Sequence, residues 1–405
     1  MESIIFLETN KSGSSRDGIK AAKELGYKVH LLTAKRKIQQ ESDQYQEIDE
    51  IYILNLRDLQ LVEDTIFKIN SSNSVKCIVS FIDSYVYLAA KLSNQFCQTR
   101  LSAKAMEIME DKILTRHHLK QKKYSLYYYI LKQDKSVKEF LKDFRAKFPL
   151  VVKLPKSCGS KDVYFVKSVV QLQNRLNFLR NKYTDEEILI EEYLDGTQVI
   201  VESLVHEGRI QIASIIEQEI TRSEKFIVTG YSISNEIETN KLKALIEVSH
   251  EIINDLGLMN GNCHLELRYD GKAWKLIEVN PRIAGGVVND LIQEAYGYNY
   301  AKQIIQVYSG NIPLINKSKE ETIYAHYMTV HTLGKLQKVT GKSNALKIPG
   351  VIDVFIKPKK GRMLMPPLSM GNRYGYVLAK GKTKEEAKKV ALIAADKIKF
   401  FIEPL

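Results

Sequence analysis

A chain of 405 residues that is 44% hydrophobic and 27% charged is long for one core and predicts two or three globular domains. It has no run of roughly 18 apolar residues, which argues against a transmembrane helix and a membrane partner, and the start Met1-Glu2-Ser3-Ile4 lacks a basic region leading into an apolar core, so a cytoplasmic protein is expected. The net charge of +12 arises from Lys and Arg spread from end to end, with short runs such as Lys120-Gln121-Lys122-Lys123; this speaks against a nucleic-acid partner and leaves an acidic protein partner open.

The first hundred residues read as an open parallel α/β domain. The apolar run Ile4-Ile5-Phe6-Leu7 is followed by the turn-rich loop Asn10-Lys11-Ser12-Gly13-Ser14-Ser15, a helix over residues 16–25 stopped by Gly26, and the strand Val29-His30-Leu31-Leu32. A further strand, Cys77-Ile78-Val79-Ser80-Phe81, leads through Asp83 into a helical pattern over residues 87–92. The Ser/Gly loop suits an anion at a helix N-terminus but lacks G-x-G-x-x-G spacing.

Residues 101–125 read as helical, with Met106, Met109, Ile113 and Leu114 on one face and Asp111-Lys112 within. Phe148-Pro149-Leu150-Val151-Val152-Lys153-Leu154-Pro155 then reads as a buried strand interrupted by one lysine, a costly placement unless the lysine is paired. The loop Ser157-Cys158-Gly159-Ser160-Lys161-Asp162-Val163 has the small residues whose backbone N–H groups approach phosphate closely. Another strand, Ile188-Leu189-Ile190-Glu191-Glu192-Tyr193-Leu194, closes at Asp195-Gly196, and residues 199–205 and 210–216 read as an antiparallel pair about Glu207-Gly208.

The most informative segment is Ile277-Glu278-Val279-Asn280-Pro281-Arg282. On a strand, Glu278, Asn280 and Arg282 project to the same side, bringing hard oxygen donors suited to Mg²⁺ beside a planar fork suited to phosphate or carboxylate. Upstream, Asn262-Cys263-His264-Leu265-Glu266 offers a second carboxylate on another strand-like stretch. Ala284-Gly285-Gly286 leads into a helix through Leu291 and Ala295, and a final helix is expected over residues 384–400 with Ala387, Ala391, Ala394 and Ile398 inward. The four cysteines, Cys77, Cys97, Cys158 and Cys263, have no C-x-x-C spacing and read as reduced thiols.

Taken in order, Asp111-Lys112, Val151-Val152-Lys153, the 157–163 loop, Glu191 to Gly196, His264-Leu265-Glu266 and Glu278 to Arg282 resemble the ATP-grasp superfamily of ligases. The tail around Asn372-Arg373-Tyr374-Gly375-Tyr376 and the helix after it resemble both the biotin-carboxylase-like members and the bacterial L-amino-acid ligases within it, and the second branch is the one expected. The resemblance implies an α/β fold: an N-terminal open parallel pre-ATP-grasp domain over 1–100, an ATP-grasp region over 101–315 with a smaller lid near 115–190, and a C-terminal α+β extension over 316–405.

It further implies that Lys112 and Lys153 neutralise ATP phosphates under a closing loop bearing Ser157, Gly159 and Ser160. Glu191, Glu192, Tyr193 and Leu194 would line the adenine. Glu266, Glu278 and Asn280 would hold Mg²⁺, with two ions expected and Mn²⁺ as the alternative. Arg282 would act on the transferred phosphoryl group or the acceptor carboxylate, with Gly285 and Gly286 beside it giving room for an amino acid. Family members commonly carry a Glu two positions after the hinge glycine; this chain has Gln198, which weakens its transfer as a ribose ligand.

A carboxylate becomes acylating once phosphorylated, and positioned charge supplies what phosphoryl transfer needs. The expected reaction is therefore ATP-dependent joining of two L-amino acids through an acyl phosphate, releasing ADP and phosphate. The alternatives are loading of an amino acid onto an acidic carrier protein and a nucleic-acid-binding protein with a regulatory nucleotide site. Homodimerisation is left open.

Overall fold

The computed structural model describes residues 2–157, 159–222 and 225–405; Met1 and Cys158, both read in the sequence, lie outside them. Strands β1 (Glu2–Leu7), β2 (Lys28–Thr33), β3 (Glu50–Ile53) and β4 (Ser74–Val79) form a parallel sheet in the order β3-β2-β1-β4. Ile4, Ile5, Phe6 and Leu7 are all buried, as an apolar run must be when helices cover both faces of a parallel sheet. The helix after β1 spans Ser14–Glu24 and starts earlier than the periodicity predicts, because Gly13 takes φ +82° and turns the chain into it.

The helical stretch expected near 101–125 is two helices, Ala103–Glu110 and Lys112–His118. Asp111 breaks it by adopting an extended conformation and accepting hydrogen bonds from the Ile113 and Leu114 N–H groups, a side-chain N-cap. Lys112 consequently opens a new helix. A second sheet follows, built from β5 (Tyr128–Leu131), β6 (Leu150–Lys153), β7 (Tyr164–Val166) and β8 (Ile188–Glu192) in the antiparallel order β5-β8-β6-β7. It has its own core, into which the helix Val169–Lys182 sends Leu172, Leu176 and Leu179.

The chain then lays down β9 (Gln198–His206), β10 (Arg209–Arg222), β11 (Phe226–Ile233), β12 (Gly261–Tyr269), β13 (Trp274–Asn280), β14 (Thr322–Met328), β15 (Gly334–Thr340), β16 (Val351–Ile356), β17 (Met363–Leu364), β18 (Gly375–Gly381) and β19 (Lys399–Pro404). Eight of these make one sheet in the order β13-β12-β9-β10-β11-β14-β18-β16, and β17-β15-β19 make a small third one beside it. The β9–β10 turn is Glu207-Gly208, both at positive φ (49° and 76°), matching the twist of a tight hairpin.

The last helix spans Lys384–Ala395 and buries Ala387, Ala391 and Ala394 as expected. It does not reach residue 400: Lys399 and Phe400 pair with Thr340 and Val339 on β15, so sheet pairing captures the end of the predicted helix. No helix of the described residues is long and apolar enough to cross a membrane.

Candidate functional site

The small antiparallel sheet and the eight-stranded sheet face each other across a cavity of about 420 Å³, and every residue singled out in the sequence as a site residue lies on its wall. Its floor is set by strand pairing. Antiparallel β12 and β13 place Glu266 directly opposite Glu278, two carboxylates where like charges repel, each with about a quarter of its side chain accessible (24% and 26%). Lys112 Nζ stands 3.4 Å from Glu278 Oε1, and the Asn280 amide donates to the same oxygen at 3.1 Å. Burial opposes ionisation of Glu278, but Lys112 and Lys153 outweigh it and hold the carboxyl below its usual range. Glu266 moves the opposite way, pushed up by burial and by Glu278.

His264, two residues before Glu266 on β12 and opposite Asn280 on β13, is buried with Nδ1 3.1 Å from the Arg282 carbonyl and Nε2 3.2 Å from the Asn280 amide nitrogen. Burial and Arg282 push its pKa down to about 4, so the ring is neutral near pH 7. Donation from Nδ1–H to the carbonyl leaves Nε2 to accept from Asn280. With its nitrogen held by both His264 and Glu278, Asn280 keeps Oδ1 as the atom left for a ligand.

Lys153 ends β6, and the partner the sequence demanded for it is Glu191 on β8, at 2.6 Å. The other oxygen of Glu191 meets Arg116 Nε at 2.5 Å, and Arg116 also donates to the Leu276 and Ile277 carbonyls on β13. The Glu191 carboxylate borders the cavity and is committed to two buried cations. Glu192 likewise accepts from the Tyr127 N–H at 2.9 Å, and the Leu194 carbonyl accepts from Arg268 at 2.6 Å. What this stretch does present is an apolar slot, with Leu126, Val151, Ile200 and Ile220 near Tyr193, whose ring stacks at 6.0 Å with that of Phe226.

Gln198 does not offer an idle amide. It donates to Glu266 at 2.9 Å and to Gln218 at 2.6 Å, and accepts from Arg268, so it orients the Glu266 carboxylate. The loop after β6 arches over the cavity: Gly159, Ser160 and Asp162 all take positive φ, the Ser157 carbonyl accepts from Lys112 Nζ at 2.9 Å, and the Gly159 carbonyl accepts from the Met370 N–H at 3.0 Å.

Arg282 reaches the cavity from just beyond β13 and clasps Asp83 of the N-terminal domain through Nε and Nη2, the latter at 2.9 Å. Gly286 sits at φ +84°, where an added Cβ would stand 2.5 Å from the Tyr327 hydroxyl, whereas one on Gly285 would meet open space. A Cβ on Gly13 would lie 3.5 Å from the Gly286 nitrogen, so the loop of residues 10–16 borders this corner as well.

The ATP-grasp domain family matches residues 146–290, the ATP-grasp N-terminal domain family residues 19–96, and the L-amino acid ligase C-terminal domain 2 family residues 326–403. The chain belongs to the ATP-grasp superfamily. The solved L-amino acid ligase from Bacillus licheniformis superposes on it with a TM-score of 0.83 over 100% of this chain and 99% of the other at 18% identity, which bears on the ATP-grasp fold alone. Dapdiamide A synthase from Enterobacter agglomerans is 22% identical over 246 residues, 58% of each chain, and human carnosine synthase 1 is 26% identical over 128 residues, 32% of this chain and 16% of the other. The chain spans 58% of the first of these two synthases and 16% of the second.

The donor set suits the group such a fold handles. Two facing carboxylates and an amide oxygen are hard ligands that leave Mg²⁺ room for water and phosphate oxygens. Among the described residues no group of three or more His, Cys, Asp or Glu is placed to hold a metal ion. Sequence reading missed Asp83, Arg116, Gln218 and Arg268. Arg268 follows the quoted His264-Leu265-Glu266 by two residues and shares Glu266's side of the strand, a usable signal; Asp83 and Arg116 carried none.

Proposed function

We propose that this protein is an ATP-dependent carboxylate-amine ligase that joins two L-amino acids, releasing ADP and phosphate. The observation that carries the reading is the Glu266–Glu278 pair held in register beneath Lys112, Lys153 and Arg282 in one cavity. Facing carboxylates call for a cation, and the surrounding basic groups call for a polyanion; a metal triphosphate satisfies both.

In this reading the purine enters the slot beside Tyr193 and Phe226, and the phosphates extend toward Lys112, Lys153 and the loop of Ser157, Gly159 and Ser160. Glu266, Glu278 and Asn280 would hold Mg²⁺, which when bound neutralises the triphosphate and draws charge off the transferred group. A carboxylate oxygen of the first amino acid forms a bond to the γ-phosphorus as the bond to ADP breaks. The amine of the second attacks the acyl carbon, loses a proton, and phosphate departs. Arg282, fixed by Asp83, offers its remaining donors to the developing oxyanion, and Gly285 and Gly286 let substrate approach the backbone. The printed names of the Bacillus structure and of the carnosine and dapdiamide synthases support the same class of product.

The purified protein, given ATP, Mg²⁺ and mixtures of the standard amino acids, should yield ADP, phosphate and a dipeptide detectable by mass spectrometry. Release of AMP, or acylation of a carrier thiol with no dipeptide formed, would overturn the proposal.

A further inference from the structure

Beside the nucleotide cavity lies a second one of about 520 Å³, bounded by the N-terminal loop carrying Gly13, the helix beginning at Val288, and strands β16 and β18. Arg373, Gly286 and Met370 border both cavities. Arg373 is half-buried and, among the described residues, has no acidic partner. The face of its guanidinium lies 3.7 Å from the centre of the Tyr327 ring, whose hydroxyl is in turn pinned by the Val287 N–H at 3.2 Å. Tyr231 also hydrogen-bonds to the guanidinium, and a guanidinium with five N–H donors has more to offer a planar anion. One of them meets the Val228 carbonyl at 3.5 Å, at the limit of a hydrogen bond. Lys357 stands at the rim of the same cavity, also without an acidic partner among the described residues.

Resting on the ligase reading above, we propose that Arg373 binds the carboxylate of the amino acid that supplies the amine, and that this acceptor occupies the second cavity. Both substrates of such a ligase carry an amine and a carboxylate, so one carboxylate must be activated and the other protected. The first is expected at Arg282 and the metal-side carboxylates. The second survives into the product as a full charge, and a cation at the junction of the two cavities both neutralises it and keeps it away from the γ-phosphate. The cavity also carries Asp17 and Asp290, so it matches a ligand bearing both signs of charge better than a simple anion. Burial and the nearby Asp290 push the Asp17 carboxyl up to about 7, a repulsion that a positive group on the ligand would relieve.

The test separates the two halves of the reaction. ATP, Mg²⁺ and a donor amino acid found among the standard twenty are supplied with hydroxylamine, which traps the acyl phosphate as a hydroxamate without any acceptor. Dipeptide formation is then measured with the acceptor as the free amino acid and as its amide. In Arg373→Met the defect should fall on the second half: KM for the free acceptor rises about tenfold or more, the loss expected for a charged hydrogen bond. KM for the amide should stay put, so preference for the free acid disappears, and Arg373→Lys should restore part of it. Loss of hydroxamate formation in Arg373→Met, or an unchanged acceptor KM, overturns the assignment. Absence of hydroxamate from the unaltered protein with every standard amino acid overturns the ligase reading itself, and this proposal with it.

Discussion

Two sets of carboxylates face the cavity between the small and the eight-stranded sheets, and they are balanced in opposite ways. On the small sheet, Glu191 is 2% exposed and holds Lys153 and Arg116 on its two oxygens, so the charges answer one another within the protein. On the large sheet, Glu266 and Glu278 face each other across β12 and β13, with Lys112 3.4 Å from Glu278. The first set is a strut, because its groups are already satisfied; the second, on the proposed reading, is a socket that a positive ion from outside would complete. The lesson is that a buried charge signals function when its balance is left to a ligand.

The strut breaks most severely. Glu191→Ala strands two buried cations and should lower stability by about 3–5 kcal/mol, read from urea unfolding; an unchanged midpoint would show that water reaches Lys153 and Arg116. The socket should respond in activity instead. Glu278→Gln preserves shape and relieves like-charge repulsion but gives up the attraction of Lys112 and Lys153, so stability should fall less than in Glu191→Ala, while ATP turnover should fall at least about 100-fold, as expected when a group that stabilises transition-state charge is lost. Normal Mg²⁺-dependent turnover in that variant would remove Glu278 from the metal site.

Lys153 belongs to both sets, because it pairs with Glu191 and also lowers the Glu278 carboxyl. Lys153→Met keeps the stem packing and leaves Arg116 on Glu191, so calorimetry should show ATP affinity falling by about tenfold with a smaller change in melting temperature. The reverse ordering would make Lys153 part of the strut alone.

Glu202 on β9 sharpens the comparison at its mild end. It is fully buried, accepts from the Ala284 N–H at 2.8 Å and has no cation in contact; burial pushes its carboxyl from 4.5 up to about 8. Its folded-state pKa lies above the unfolded value, so the native state binds the extra proton. Stability from this group is complete below about pH 4.5 and is lost as pH rises toward about 8. Glu202→Gln should flatten that slope in unfolding curves collected across the window, and an unaltered slope would mean that Glu202 is already ionised.

Much of this site was legible in the chain because its signals are local. A lysine inside Leu150-Val151-Val152-Lys153 announces an unmet charge, and Glu278 and Asn280 share a strand face by the two-residue period alone. Local signals failed where an answer came from elsewhere. The helix expected over 384–400 stops at Ala395 since β15 offers pairing to residues 399–404, and the continuous helix near residue 111 breaks because Asp111 caps the next one.

By itself the sequence determined the order of the elements, the parallel sheet of the first domain, and the chemical types gathered for a metal nucleotide. The tertiary structure alone decided their partners. Arg282 clasps Asp83, 199 residues away; Glu191 divides itself between Lys153 and Arg116; Gln198 spends its amide on Glu266, Gln218 and Arg268; and Arg373 comes to rest on Tyr327 between two cavities. Periodicity and residue chemistry act over a few neighbouring residues and can be read there, whereas which charges meet depends on strand order and register, fixed only when the whole core packs.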